Sequence, residues 1–214
     1  MSSHRTFSSV RGWNNSTPPR PSRKISQQQF AKEFSSYFSD LRRKDYFLFF
    51  VTYTLSKKEI YSYQSSNKAN DIKSLDPSGA LKIFDLLYTR TCSQLLGNNW
   101  RRKRAYLPIV LACVDLPHTR YKKEVTSIPD VTPHIHAIYA VHPNTLTQFD
   151  ALTEHDKQAE LMSRTDRRLL TVDIKPITRG VLEDVSTYLT KALRYYPEDE
   201  IDQNMWSVHP DQRP

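Results

Sequence analysis

The chain has 214 residues, enough for one ordinary domain with tails and for a substantial core without staples. The 4 Gly against 13 Pro argue against a phosphate-cradling loop, and with no G-x-x-x-x-G-K-[ST] run nothing suggests an attached helicase or ATPase. The formal net charge of +8 suits a polyanionic partner.

Residues 1–25 are rich in Ser, Pro and Arg, a composition that buries too little apolar surface to offset chain ordering, so we expect disorder there. From Ser26 to Leu41 the spacing of Phe30, Phe34, Tyr37, Phe38 and Leu41 predicts a helix with Ser26 as its N-cap, packed against the domain edge. Residues 1–44 hold nine Lys or Arg against Glu33 and Asp40, so the charge is concentrated in this arm. Tyr46 to Thr54 reads as a strand covered on both faces. Residues 57–77 are polar and turn-rich, an excursion from the surface. Ala80 to Leu96 carries apolar residues at helical spacing and stops at Gly97.

After the basic cluster Trp100-Arg101-Arg102-Lys103-Arg104 comes a second strand, Tyr106 to Val114. A polar excursion, residues 116–132, returns into a third strand at His134 to Ala140, and the two strands suggest a central antiparallel pair. Thr145 to Arg164 is long enough for a helix. Leu169 to Ile174 is a fourth strand cut off by Pro176, and Val181 to Tyr196 a further helix ending before Pro197. The tail, residues 197–214, is acidic and expected to be loose. The order β-α-β-β-α-β-α over residues 45–196 predicts an α+β domain, a central antiparallel sheet with packed helices. Cys92 and Cys113 form no C-x-x-C pair and read as reduced core thiols. No apolar run approaches a membrane span and the N-terminus lacks a signal-peptide core, so we expect a soluble intracellular protein, cytoplasmic or inside a host cell, with no membrane partner.

Two stretches carry chemistry. His134 and His136, two apart on a strand, leave one face together and can reach one ion. A packed or hydrogen-bonded histidine pair explains that spacing about equally well. Tyr188 and Lys191, three apart in a helical segment, share a face. Asp115 closes the second strand, and pairing of that strand with the third would bring its carboxylate near the rings.

With Val51-Thr52-Tyr53-Thr54 upstream, the H-x-H and Y-x-x-K stretches stand in the order seen in HUH endonucleases, and the chain resembles the rolling-circle replication initiator (Rep) type. That resemblance covers roughly residues 45–196 and implies a ferredoxin-like or RRM-related sheet. It also implies a site-specific single-stranded DNA nickase and strand transferase, in which Tyr188 attacks the scissile phosphate and forms a 5′-phosphotyrosine bond. Lys191 would assist the phenol, and His134, His136 and Asp115 would hold Mg²⁺ or Mn²⁺, with His118 the runner-up third ligand and Asp173 a weaker one. Thr52 and Thr54 would contact phosphate. Arg101, Arg102, Lys103, Arg104, Arg120, Lys122, Lys123 and Tyr195 would contact DNA. The partners implied are single-stranded DNA at a replication origin of a plasmid or virus, together with a host helicase and polymerase. A single-strand transposase or a relaxase shares the chemistry, although relaxases commonly place the tyrosine before the His motif. A non-catalytic nucleic-acid-binding module or repressor, and a metal-dependent hydrolase using water, are the readings from other classes.

Overall fold

The computed structural model describes residues 26–56, 77–115, 132–191, 193 and 205–210. The first element is helix α1 (Gln27–Arg43), opened by the Ser26 hydroxyl, which accepts the Gln29 N–H at 3.2 Å. Phe30, Phe34, Phe38 and Leu41 lie on one stripe and are all buried. The helix is therefore part of the core, where sequence reasoning assigned it to a basic arm at the domain edge. Asp45, at φ 64°, turns the chain into strand β1 (Phe47–Leu55).

Helix α2 (Pro77–Leu96) ends at Gly97 in the left-handed region, φ 76°, where a glycine has no Cβ to clash. Two 3-10 turns through Trp100–Arg102 and Arg104–Tyr106 lead into β2 (Ile109–Asp115), which is buried along its length except at Asp115. Strand β3 (His134–Val141) is buried except at His134. The helix expected over residues 145–164 is two, α3 (Leu146–Leu152) and α4 (His155–Thr165), because the backbone turns extended at Glu154, φ −60° and ψ 136°. Strand β4 (Leu169–Pro176) follows, then α5 (Leu182–Leu189), far shorter than the expected span to Tyr196. Within the tail expected to be loose, Trp206–His209 forms a further strand, β5.

Among the described residues, five strands lie in the order β4-β1-β3-β2-β5 and every neighbouring pair is antiparallel. Pattern alone therefore yielded the α+β class and the β2–β3 pairing. Because side chains alternate across a sheet, β1 and β3 divide cleanly between two layers. Val51, Tyr53, Ala137 and Tyr139 meet α2, α3 and α4, with Phe84 5.9 Å from Tyr53 and Phe149 5.9 Å from Tyr139 between ring centroids. The opposite face, with Thr52 and His136, is covered by α1 and α5, which pack on each other. Trp206 of β5 reaches Phe30 of α1 at 5.4 Å on that side.

Both cysteines are free and buried, and burial pushes the Cys92 thiol up to about 12. At the outer edge of the sheet, β4 alternates half-buried and exposed positions from Thr171 to Lys175 and carries the Asp173–Lys175 ion pair, 2.6 Å, just before Pro176. Among the described residues no helix is long and apolar enough to cross a membrane.

Candidate active site

The sheet register makes the site. Thr52 of β1 lies beside His136 of β3 and His136 beside Cys113 of β2; one pair further along, Thr54, His134 and Asp115 are aligned. All of these except Cys113 carry polar side chains on the face that α5 covers. The two imidazoles stack almost parallel, 4° apart in plane, with centroids 6.0 Å apart.

His136 is held at both nitrogens. Its Nδ1 lies 3.1 Å from the Thr52 hydroxyl and its Nε2 3.3 Å from Asp115 Oδ2. A carboxylate only accepts, so in neutral His136 the hydrogen-bond chemistry assigns the ring proton to Nε2, with the Thr52 O–H donating to Nδ1. Thr52 therefore orients an imidazole, a role distinct from the phosphate contact expected of it. Phe50 stacks on the same imidazole at 5.5 Å.

Asp115 also accepts from Lys191 Nζ at 2.7 Å, the two side chains being 19% and 21% exposed. Burial works against the charged carboxylate, but hydrogen bonds from His136 and Lys191 outweigh it and hold Asp115 below the usual carboxylate range. For Lys191 burial likewise opposes charge, and Asp115 and Tyr188 more than offset it, so its pKa is raised and the ammonium persists. That ammonium lies 3.9 Å from the centroid of the Tyr188 ring. Tyr188 itself is 47% exposed, with its ring 5.1 Å from His136 and 5.9 Å from Phe50.

The helix carrying Tyr188 is fixed from outside the sheet. Thr190 caps α5 by donating its hydroxyl to Ser186 O at 2.9 Å, and Gln27 Nε2 donates to Thr190 Oγ1 at 2.7 Å. Lys191 thus follows the helix end instead of continuing the helix, which lets it turn toward Asp115. Gln27 and Thr190 carried no sequence signal, since one polar residue at a helix start and one threonine at a helix end are ordinary.

Of the residues singled out in sequence, the fold brings together Tyr188, Lys191, Asp115, His136, His134 and Thr52, with Thr54 opposite His134. Asp173 sits opposite Thr52 on β4 but is bonded to Lys175. The cluster Arg101, Arg102, Lys103, Arg104 precedes the start of β2, whereas Asp115 ends that strand, so the basic run lies at the other end of the sheet. His118, Arg120, Lys122, Lys123, Tyr195 and Tyr196 lie outside the described residues.

Two imidazoles and a carboxylate are donors that suit a divalent cation in kind. As they stand they do not form such a centre: Asp115 Oδ2 is engaged by both His136 and Lys191, and among the described residues no three His, Cys, Asp or Glu side chains are grouped to hold a metal ion. Here the Lys191 ammonium supplies the positive charge at the carboxylate.

The same electrostatics sets a pH dependence. Burial foremost, then the neighbouring His136, lowers the pKa of His134 below its ordinary value. A depressed folded-state pKa means that protons favour the unfolded chain, so His134 contributes stability that is full above its unfolded pKa of about 6.5 and is lost as pH falls through the folded value. Thermal melts should show stability declining below about pH 6.5, and His134→Gln should flatten that decline. An equally steep decline in His134→Gln would assign it to another group. Comparison with known proteins found no matching family model, no matching curated protein and no matching solved structure.

Proposed function

We propose that this protein is a single-tyrosine, site-specific single-stranded DNA endonuclease and strand transferase of the HUH type, which initiates rolling-circle replication of a plasmid or virus. The observation that carries this reading is the convergence of Tyr188, Lys191, Asp115 and His136 from α5, β2 and β3 around one half-exposed phenol. The β1-α2-β2-β3-α3/α4-β4 path with order β4-β1-β3-β2 is also the ferredoxin-like arrangement, with β5 added at one edge.

The Tyr188 oxygen, as phenolate, attacks the scissile phosphorus; the P–O3′ bond breaks as the P–O(Tyr) bond forms, and the 3′ oxygen leaves and takes up a proton. The products are a 5′-phosphotyrosine link and a free 3′-OH for a host polymerase. Lys191, kept charged by Asp115, stabilises the phenolate and the charge gathering on the phosphoryl oxygens. Asp115 and Thr52 hold His136 in a single orientation beside the phenol. If Mg²⁺ or Mn²⁺ were held by His134, His136 and Asp115, it would supply Lewis-acid polarisation of the phosphate, in place of the Lys191 charge at Asp115. Transposase or relaxase activity would use the same groups on other DNA.

Labelled single-stranded origin DNA, incubated with the protein and Mn²⁺ or EDTA and run on a denaturing gel, tests this. We expect a metal-dependent shift of the piece 3′ of the nick onto the protein. Retention of DNA with no cleavage in either condition would favour a binding module or repressor instead.

A further inference from the structure

We propose that the end of the sheet opposite Tyr188 is a second, independent surface for single-stranded DNA, built from exposed cations and aromatic rings. Three parts of the chain meet at that end. α1 delivers Arg43 and Lys44 just before β1 begins; the 3-10 turns deliver Arg101, Arg102 and Arg104 just before β2 begins; and Phe47 pairs with Val141, where β3 ends. Seven residue steps of β1 separate Phe47 from Thr54, about 23 Å at roughly 3.3 Å per residue. These cations therefore lie at the other end of β1 from the row of Thr54, His134 and Asp115.

The charge there is unbalanced. Among the described residues Arg102 and Arg104 are exposed and pair with no carboxylate, and Arg101 lies 5.2 Å over the Trp100 ring. The carboxylates flanking these cations in the chain are Asp40, already held by Arg43, and Asp45, while residues 97–108 contain none. Interleaved with the cations are Phe47, 46% exposed, and Tyr106, 38% exposed. Tyr106 is braced edge-on against His142 at 5.0 Å, and Tyr46 braces the same imidazole at 5.3 Å, so the Tyr106 ring is fixed in place although its surface is open. Cations that follow a phosphate backbone, set between rigid exposed rings on which unpaired bases stack, are the two requirements for holding a single strand without reading its sequence. The choice of DNA rests on the strand-transfer reading above; the polyanion surface does not.

The test is fluorescence anisotropy of a labelled mixed-sequence single-stranded oligonucleotide with the full chain, over a salt series and in EDTA so that no strand is cut. Arg101→Ala/Arg102→Ala/Arg104→Ala should weaken binding at least about tenfold, and should flatten the slope of log K against log salt by about 2, three contacts at roughly 0.7 each. Tyr106→Ala should weaken binding about fivefold or more for the single strand and little for the matching duplex. Melting curves of each variant establish that it is folded. Unchanged affinity and slope in the triple variant overturn the proposal. So does equal loss on single strand and duplex in Tyr106→Ala, which would leave a nonspecific polyanion patch, and so does tighter binding of the corresponding RNA. Because binding is read and cleavage is not, failure of the nickase reading leaves this result standing, and the reverse holds too.

Discussion

Tyr188→Phe is expected to lower the rate of strand cleavage by about 10⁴-fold or more, and to abolish the covalent protein–DNA adduct, because it removes the proposed attacking oxygen while keeping the ring. The phenylalanine ring keeps its neighbours His136, Phe50 and the Lys191 ammonium. The hydroxyl belongs to a half-exposed side chain, so the melting temperature and the affinity for single-stranded DNA should stay as in the parent. Single-turnover cleavage with adduct detection is the measurement. Cleavage that survives the substitution would transfer the nucleophile's role to water or to another tyrosine.

The second large effect is on folding. Phe34→Ala should destabilise the protein by about 4 kcal/mol, the usual cost of emptying a fully packed phenylalanine site. Phe34 is 1% exposed and touches Phe30 at 4.7 Å and Phe38 at 6.5 Å. Urea denaturation gives the number, and a loss below about 1 kcal/mol would mean that the site collapses around the smaller side chain or that α1 is not part of the cooperative unit. The candidate site should suffer with it, since Gln27, on the first turn of α1, holds the Thr190 hydroxyl beside Lys191.

These two residues also mark what could be read in the chain and what could not. The stripe Phe30-Phe34-Phe38-Leu41 announces a helix, but a stripe does not name the surface it will cover, and α1 proved to be a layer of the core. The strands were legible because β-branched and aromatic runs differ so plainly from the polar excursions between them. β5 was not: four residues between acidic sequence and a proline carry no periodicity, and only the open edge of β2 makes them a strand. The early end of α5 was hidden because Leu193 continues the apolar spacing beyond the Thr190 cap.

In the site, pairing of β2 with β3 was enough to place Asp115 beside the histidines, since strand register converts sequence position into distance. That Asp115 holds Lys191 could not be read, because the turn after α5 that carries Lys191 approaches from above the sheet. The remoteness of Arg101 and its neighbours from Tyr188 was invisible for a related reason: a basic run shows its charge in one dimension, and its end of the sheet only in the fold.

The outer strand β4 constrains how copies of this chain can meet. An open strand edge is a template on which another chain can add its own strand, the route to filaments and to unwanted dimers. β4 answers with a charged pair, Asp173 and Lys175, and closes with Pro176, a residue without an N–H to offer. The opposite edge, β5, is only four residues long. Among the described residues, neither border invites ribbon-like growth of the sheet.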